Sequence, residues 1–370
     1  SYRLLSEQEA EAQLNRWNPL PSPYPAEETI VTQFEKQVQQ HGHQPALQCE
    51  DEILSYQELN DRVNQLAHYL RETGFEKGMK AALFFERSNE MVLSVLAVLK
   101  AGGVYVPIDP DFPDERVKHF LTDSGAQFLL THQVLRHRSV LTAFEGTIIE
   151  TEDQAIAQQS DSPIDAHILP EDLANLTYTS GTTGKPKGNM VTHRNILRTV
   201  KQSNYLTIHP EDTVMSLSNY VFDAFMFDVF GALLNGAKLI VLPKDHILNM
   251  NELSGAIEKE KVSILMITTA LFHLLMDMKK DSLKNVRKVL FGGERASVPH
   301  VVTALETVGK DKLVHMYGPS ESTIFTTYYP VNHIEKQALS IPIGKPVSQT
   351  AVYIVDEFGH VQPPGVAGEL

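Results

Sequence analysis

A loop rich in hydroxyl, glycine and lysine side chains follows an apolar run at residues 173–179. Between residues 179 and 188 it carries four hydroxyl side chains, three glycines and two lysines. Glycine lets backbone N–H groups approach an anion, hydroxyls donate hydrogen bonds and lysines add positive charge. It is not a Walker A loop, because Gly181 and Gly184 are too close together and Pro186 replaces the magnesium-binding Ser or Thr. The composition indicates a phosphate-binding loop; the alternative is a flexible surface turn.

One acidic residue, Asp223, interrupts an apolar run at residues 221–227. An isolated carboxylate is costly to place in a medium of low dielectric constant, so this side chain needs a partner. An α-ammonium group is a natural one. The alternative is that Asp223 caps the N-terminus of the helix that follows.

The segment MYGPSEST at residues 316–323 contains an aromatic ring and a carboxylate four residues apart. The ring of Tyr317 offers a face on which a nucleobase can stack. The carboxylate of Glu321 is a suitable ligand for a hard divalent cation such as Mg²⁺. The alternative for Tyr317 is a buried aromatic residue at a strand end.

Apolar runs typical of strands alternate with segments of helical period from residue 28 onward. This alternation predicts an α/β fold with largely parallel sheets. In the helix predicted over 58–73 the apolar residues share one face, and Gly74 is a plausible C-cap. The remaining helices are predicted over 90–101, 193–203, 251–260, 270–279 and 298–308. The strands are predicted over 81–86, 104–108, 127–131, 173–179, 237–242, 263–268, 287–291 and 312–317.

The ends of the chain suggest how it is organised. Residues 1–17 have the pattern of a short amphipathic helix, and the Pro-rich residues 18–25 read as a linker. We therefore expect a linker over 1–27 and one globular unit over 28–370. The end of the chain does not look like a natural terminus.

Composition excludes several functional classes. The formal net charge is −14 without a run of Lys or Arg, which argues against a surface for nucleic acid or anionic membrane. The single cysteine, Cys49, excludes an internal disulfide framework and favours a reducing compartment. No apolar stretch is long enough to span a membrane. We expect a cytoplasmic protein, and a monomer because the linker lacks heptads.

The loop TYTSGTTGKPKG at 177–188 is similar to the phosphate loop of the adenylate-forming superfamily. That superfamily contains acyl-CoA synthetases, luciferases and the adenylation domains of non-ribosomal peptide synthetases. The segments at 54–60, 99–110, 219–225 and 316–323 resemble signature segments of the peptide-synthetase branch, in the same order. The resemblance covers the whole chain. It implies the large N-terminal domain of this fold, with stacked, mostly parallel sheets flanked by helices and a smaller β-rich lobe.

The resemblance implies that the chain binds ATP and Mg²⁺. Tyr317 would stack on adenine, Gly292, Gly293 and Glu294 would border the base, and Glu321 would hold Mg²⁺. His315 stands where Asn is usual, and an imidazole N–H can replace an amide donor. The catalytic residues would be Thr179, Lys187 and Glu321. The remaining residues of the implied ATP site are Ser180, Gly181, Thr182, Thr183, Gly184, Lys185, Met316, Gly318 and Ser320.

Asp223 would pair with the substrate amine, a residue that acyl-CoA synthetases typically lack. By family alignment the amino-acid pocket consists of Asp223, Ala224, Phe227, Met266, Leu290, Gly292, Met316, Ile324 and Phe325. Apart from Asp223 these side chains are uncharged and none is a strong hydrogen-bond donor, so a polar substrate side chain would lose its water contacts. We expect Gly292 to leave space and the two phenylalanines to limit depth, and Phe225, where Ser is frequent, to be a packing variant. The set resembles leucine-activating domains, so L-leucine is expected first, followed by Val, Ile, Met and Phe.

The resemblance also concerns what surrounds this chain. In the family, a ribose-binding Asp, a hinge and a catalytic Lys on a C-terminal subdomain lie beyond the point where this chain ends. The chain alone is therefore expected to bind ATP and amino acid but to catalyse poorly. The implied partners are an upstream condensation domain and a carrier domain whose phosphopantetheine thiol takes the aminoacyl group. The alternatives are an acyl- or aryl-CoA ligase and a nucleotide-binding module without chemistry.

Overall fold

The computed structural model of the protein describes residues 3–18, 24–179 and 186–370. Two helices precede the sheets. Helix α1 (Glu7–Trp17) begins with a capping box in which the side chains of Ser6 and Glu9 exchange hydrogen bonds with each other's backbone. The helix expected over 1–17 therefore begins only at Glu7. Because none of its residues is buried, it does not join the core. Helix α2 (Ile30–His41) buries its apolar face.

The first half of the chain forms a six-stranded sheet with the order β6-β5-β3-β4-β7-β8. All of its pairs are parallel except the final one, in which β7 and β8 form an antiparallel hairpin. The strand predicted over 81–86 is β3, and it ends at Phe84, two residues before the predicted end. The strands are β3 (Lys80–Phe84), β4 (Val104–Pro107), β5 (Phe128–Thr131), β6 (Thr147–Glu150), β7 (Leu173–Thr179) and β8 (Lys187–Thr192).

The remaining strands form a nine-stranded sheet with the order β15-β14-β13-β12-β11-β9-β10-β1-β2. Six central strands are parallel, and the antiparallel strands β14, β15 and β2 lie at the edges. The strands are β1 (Pro45–Cys49), β2 (Glu52–Ser55), β9 (Thr213–Ser216), β10 (Lys238–Val241), β11 (Ile264–Thr268), β12 (Lys288–Gly292), β13 (Leu313–Tyr317), β14 (Thr327–Pro330) and β15 (Lys345–Pro346).

The helices follow the predicted pattern with small shifts at their ends. Gly74 takes a left-handed conformation (φ +94°) just beyond α3, as expected of a glycine that terminates a helix. The helix expected over 193–203 ends at Val200, because Lys201 is extended and Gln202 is left-handed. The α-helices are α3 (Tyr56–Glu72), α4 (Asn89–Lys100), α5 (Asp114–Ser124), α6 (Gln154–Ala157), α7 (His193–Val200), α8 (Ala224–Leu233), α9 (Lys244–Leu248), α10 (Met250–Lys259), α11 (Thr269–Lys279) and α12 (Val298–Val308).

One hydrophobic core joins the two sheets through the helices that they enclose. It contains Leu83 and Tyr105 of the smaller sheet together with Val214 and Met266 of the larger one. Helix α4 lies inside this core, and all its residues except Glu90 are buried. Residues that alternate with these along the strands, such as Ala82 and Leu265, belong to two further clusters on the other faces. Both faces of each sheet are therefore covered, as is normal for parallel sheets.

The end of the chain adds little regular structure. The expected smaller β-rich lobe is represented by isolated bridges that join Val355 to Val361 and to Glu369. The N-terminal segment contacts this region: the amide side chain of Asn18 accepts from the N–H of Val352 (2.7 Å) and donates to its carbonyl (3.1 Å). Within the described part of the chain, no helix is long and apolar enough to cross a membrane.

Candidate active site

The hairpin of β7 and β8 carries the two ends of the predicted phosphate loop. Thr179 and Lys187 are paired residues of this hairpin, and the Thr179 hydroxyl donates to the Lys187 carbonyl (3.5 Å). The Lys187 side chain is exposed, so its ammonium is free to meet an anion. The six predicted residues between them, Ser180, Gly181, Thr182, Thr183, Gly184 and Lys185, lie outside the described residues.

The turn after β13 carries the predicted nucleobase and metal residues. Tyr317 ends the strand with 39% of its surface exposed, which excludes the buried alternative. A Cβ on Gly318 would lie 2.4 Å from the Ile324 carbonyl oxygen, so only glycine lets the returning chain pass. Ser320 and Glu321 form a short 3₁₀ turn.

The Glu321 carboxylate fits a hard cation. It is exposed, and within residues 3–18, 24–179 and 186–370 no salt bridge or hydrogen bond occupies it. A free carboxylate oxygen is the type of ligand that Mg²⁺ takes beside phosphate groups. The donor chemistry of Glu321 therefore agrees with the expected magnesium site.

A hydrogen bond joins the hairpin to this turn. The side-chain amide of Asn189, on β8, donates to the Ser320 carbonyl (2.7 Å). Two segments that are more than a hundred residues apart in sequence are thereby held side by side. Our sequence reasoning did not identify Asn189, and no local pattern distinguishes it from other exposed-strand asparagines.

Asp223 lies just before α8 and interacts with the same turn. The Ser320 hydroxyl and the backbone N–H groups of Ala224 and Ile324 lie close enough to its carboxylate to favour the ionised form. Asp223 occupies the N-cap position but forms no side-chain capping hydrogen bond. Loss of solvent raises the pKa of the carboxyl group, and these neighbouring donors only partly offset that rise. Asp223 is thus a half-buried acid without a cationic partner among the described residues.

The predicted apolar pocket residues come together on one face of the larger sheet. Met266 and Leu290 are paired across β11 and β12, and the rings of Phe227 and Phe325 meet edge to face with centroids 5.4 Å apart. Because paired residues of parallel strands point to the same side, this face looks toward α8. Ala224, in the first turn of α8, is half-buried. The core cluster that contains the others includes Phe227, Met266, Leu290, Met316, Ile324 and Phe325.

Gly292 plays a different part from the one we expected. A Cβ at this position would lie 2.3 Å from the Met316 carbonyl oxygen. The expectation that Gly292 leaves space for the substrate is therefore wrong, because the backbone of β13 fills that space. The next two residues, Gly293 and Glu294, are exposed, and the Glu294 carbonyl accepts from the Thr269 hydroxyl (3.1 Å).

Phe225 and His315 are the two departures from the family pattern. Phe225 is buried and packs edge to face on Tyr220, with ring centroids 6.1 Å apart, as expected of a packing variant.

The His315 ring is buried and stacks on Phe291 (5.1 Å between centroids). Its Nδ1 lies 2.8 Å from the Pro342 carbonyl, and since a carbonyl only accepts, Nδ1 carries the proton. Burial lowers the pKa of this ring. The expected donor N–H is therefore already used, and the neutral ring offers Nε2 as an acceptor instead.

The chain is similar in sequence and in fold to known proteins. A family model described as "AMP-binding enzyme" matches residues 34–370. The chain is 56% identical to surfactin synthase subunit 1 of Bacillus subtilis (strain 168) over 373 residues, which is all of this chain and 10% of that protein. It is 43% identical to bacitracin synthase 1 of Bacillus licheniformis, again over all of this chain but 7% of that protein.

Two solved structures are similar over nearly the whole chain. One is the nonribosomal peptide synthetase FmoA3 with α-methyl-L-serine-AMP bound, at 27% identity and a TM-score of 0.91, covering 100% of this chain and 41% of that one. The other is an NRPS protein containing adenylation and PCP domains bound to a vinylsulfonamide inhibitor. It matches at 29% identity and a TM-score of 0.85, covering 93% of this chain and 59% of that one.

Proposed function

The chain belongs to the AMP-binding enzyme family, and from this premise we propose that it activates an apolar L-amino acid with ATP as aminoacyl-AMP. The observation that carries the proposal is Asp223, a half-buried carboxylate that lies against the Ser320–Ile324 turn and beside an apolar cluster. An α-amino acid presents an ammonium group and a side chain together. Asp223 would pair with the ammonium group, and the apolar cluster would contact the side chain.

The reaction proposed is attack of the amino-acid carboxylate oxygen on the α-phosphorus of ATP. A bond forms between that oxygen and phosphorus, and the bond to the bridging oxygen breaks, so that pyrophosphate leaves. Lys187 and the backbone of the phosphate loop would bind the phosphates, and Tyr317 would support the adenine ring. Glu321 would hold Mg²⁺, which neutralises phosphate charge when bound. The protein would therefore act by positioning and charge stabilisation.

L-Leucine is the proposed substrate. Met266, Leu290 and Phe227 are buried and offer no hydrogen-bond donor, so charged and amide side chains would be desolvated without compensation. Discrimination against valine should be modest, because one methylene in an apolar pocket is worth about 1–3 kcal/mol. The similarity to the structure of FmoA3 with α-methyl-L-serine-AMP bound supports an amino acid over a fatty acid.

The wider setting is proposed from the same relatives. The chain spans 10% and 7% of the surfactin and bacitracin synthases that it matches, and one similar structure contains a PCP domain beside its adenylation domain. We propose that the aminoacyl group passes to the phosphopantetheine thiol of a carrier domain and that a condensation domain lies upstream. The chain itself is proposed to be monomeric, which sedimentation at micromolar concentration tests.

The experiment is amino-acid-dependent pyrophosphate exchange with the chain joined to a C-terminal subdomain. Twenty amino acids are compared with a fatty acid and an aryl acid. We expect leucine to give the fastest exchange, with Val, Ile, Met and Phe following, and Asp223→Ala to abolish the reaction. Preference for a charged or amide residue would overturn the pocket assignment. Exchange with the fatty or aryl acid alone would show a CoA ligase. The chain without the subdomain should bind the same substrates but turn over far more slowly.

A further inference from the structure

Arg198, in the last turn of α7, holds the turn that carries the candidate site. One of its terminal nitrogens donates to the carbonyls of Ser322 (2.7 Å), Thr323 (3.1 Å) and Phe325 (3.2 Å). The other nitrogen donates to the Thr350 hydroxyl. No carboxylate within the described ranges forms a salt bridge with this guanidinium. A half-buried arginine normally pairs with an acid. The donors of Arg198 instead bind backbone carbonyls, so this side chain constrains the path of the backbone in the turn.

The turn that Arg198 holds has an unfavourable backbone. Thr323 and Ile324 both have positive φ angles, +55° and +68°. This conformation is rare for any residue with a Cβ and is an outlier for a β-branched one, and such residues persist only where their surroundings enforce the geometry. Two of the carbonyls that Arg198 binds, those of Thr323 and Phe325, lie immediately before and after Ile324. The neighbouring Thr199 hydroxyl lies 3.3 Å from the Thr323 carbonyl and 3.2 Å from the Asn195 carbonyl, and its single proton serves both.

The same turn sets the geometry of the amino-acid pocket. The Ile324 N–H is one of the donors close to the Asp223 carboxylate that favour its ionised form, and the side chains of Ile324 and Phe325 are buried in the apolar cluster. If the turn relaxed to an ordinary backbone, the Ile324 N–H would rotate away from Asp223 and its side chain would leave the pocket. Arg198 itself forms no hydrogen bond with the Asp223 carboxylate or the Ile324 N–H; its partners are other backbone carbonyls and hydroxyls.

We propose that Arg198 is a positioning residue for amino-acid binding: by holding the left-handed Thr323–Ile324 turn, it orients the Asp223 carboxylate and the apolar wall together. This inference rests on the proposed function. It predicts a loss of amino-acid affinity that exceeds any loss of Mg-ATP affinity, and a loss of selectivity between leucine and valine.

The test is equilibrium dialysis of the 370-residue chain with labelled L-leucine, L-valine and Mg-ATP, each alone. Arg198→Met should weaken leucine binding by about tenfold or more, with a smaller effect on Mg-ATP and a leucine-to-valine affinity ratio closer to one. Arg198→Lys, which retains the charge and part of the donor capacity, should restore binding in part. Arg194→Met is the matched control, because Arg194 lies on the same helix and pairs with Glu171. It should bind leucine normally.

The remaining outcomes separate a positioning role of Arg198 from a purely structural one. If Arg198→Met does not fold, Thr199→Val removes one bond to Thr323 without changing shape, and it should still weaken leucine binding measurably. Unchanged leucine affinity and unchanged selectivity in the folded Arg198 variants, with only a lower melting temperature, would reduce Arg198 to a structural role and leave the proposed function standing. If the unmodified chain binds neither amino acid, this inference is overturned, and pyrophosphate exchange by the chain joined to a C-terminal subdomain decides the proposed function separately.

Discussion

Lys187 and Glu321 are two exposed charged side chains that we propose to contact Mg-ATP. Charge-assisted contacts are worth about 1.5–3 kcal/mol each, so Lys187→Ala or Glu321→Ala should lower the affinity for Mg-ATP roughly tenfold or more. Calorimetric titration measures this. Lys310→Ala and Glu306→Ala remove exposed charges near the opposite end of β13 and serve as controls. Unchanged affinity in both site variants would show that the phosphate and metal assignments are wrong.

If Asp223 pairs with the substrate amine as proposed, amino-acid binding should depend on pH. Burial raises the pKa of its carboxyl group, so the group takes up a proton at a higher pH than an exposed aspartate does. The ammonium of the substrate needs the ionised form, and affinity for L-leucine should therefore fall as pH falls through that raised pKa. Asp223→Asn should bind weakly with little pH dependence in equilibrium dialysis between pH 5 and 8.

The same shift has a consequence for stability. A carboxyl group with a raised pKa in the folded state contributes stability while protonated and loses it as pH rises through that value. At pH 8, Asp223→Asn should therefore melt at the same temperature as the unmodified chain or higher.

Leucine binding at the same pH tests the pairing itself. Equal leucine affinity of Asp223→Asn and the unmodified chain at pH 8 would contradict the pairing of Asp223 with the substrate amine.

The turn between β13 and β14 carries Gly318, Ser320 and Glu321 of the proposed site. At Gly318 a Cβ would meet backbone atoms of three residues at 2.4–2.8 Å, and backbone cannot move aside as a flexible side chain can. Gly318→Ala should cost about 1–3 kcal/mol of unfolding free energy and remove most Mg-ATP binding.

Gly255 is the matched control for this substitution. It lies within α10, and a Cβ there would meet nothing within 4 Å. Gly255→Ala should raise the free energy of unfolding by about 0.5–1 kcal/mol without changing Mg-ATP affinity. Urea unfolding and calorimetry measure the two quantities. A Gly318→Ala protein with normal stability and normal affinity would mean that the turn is not as close-packed as described.

At the scale of the whole molecule, His193 connects two helices enclosed between the sheets. Its ring is buried, and Nδ1 accepts the N–H of Ile30 at the start of α2 (3.3 Å). Burial lowers the pKa of His193 to about 4. The unfolded chain, with an ordinary histidine pKa near 6.5, therefore takes up a proton first as pH falls. Stability that is fully present above that value is lost progressively toward about pH 4.

This loss can be measured by substitution. A shift of this size corresponds to stability on the order of 3 kcal/mol. His193→Asn keeps an acceptor but cannot be protonated, so its unfolding free energy should decline less than that of the unmodified chain between pH 7 and 5. His137→Asn, at an exposed position, should decline as the unmodified chain does. Parallel curves for His193→Asn and the unmodified chain would refute this role.

Local patterns were sufficient to predict much of this protein. The alternation of apolar runs and helical periods predicted the α/β fold, because each element buries a face that its own spacing defines. Motifs such as TYTSGTTGKPKG and MYGPSEST identified the family resemblance, which the match over residues 34–370 confirms. They carry that information because the residues proposed to contact one phosphate or one base are adjacent in the sequence. The position of Tyr317 at an exposed strand end follows from the same local order.

Only the tertiary structure decided how these pieces are joined. Asn189 donates a hydrogen bond to the Ser320 carbonyl, and Arg198 donates to the carbonyls of Ser322, Thr323 and Phe325. The Nδ1–H of His315 donates to the Pro342 carbonyl. The space beside Gly292 is filled by the Met316 carbonyl. These contacts join separate strands, helices and turns, so their partners depend on strand order and helix packing. Spacing along the chain specifies which face a residue occupies, but the side chain or carbonyl that it meets there is set by how the two sheets and their helices pack.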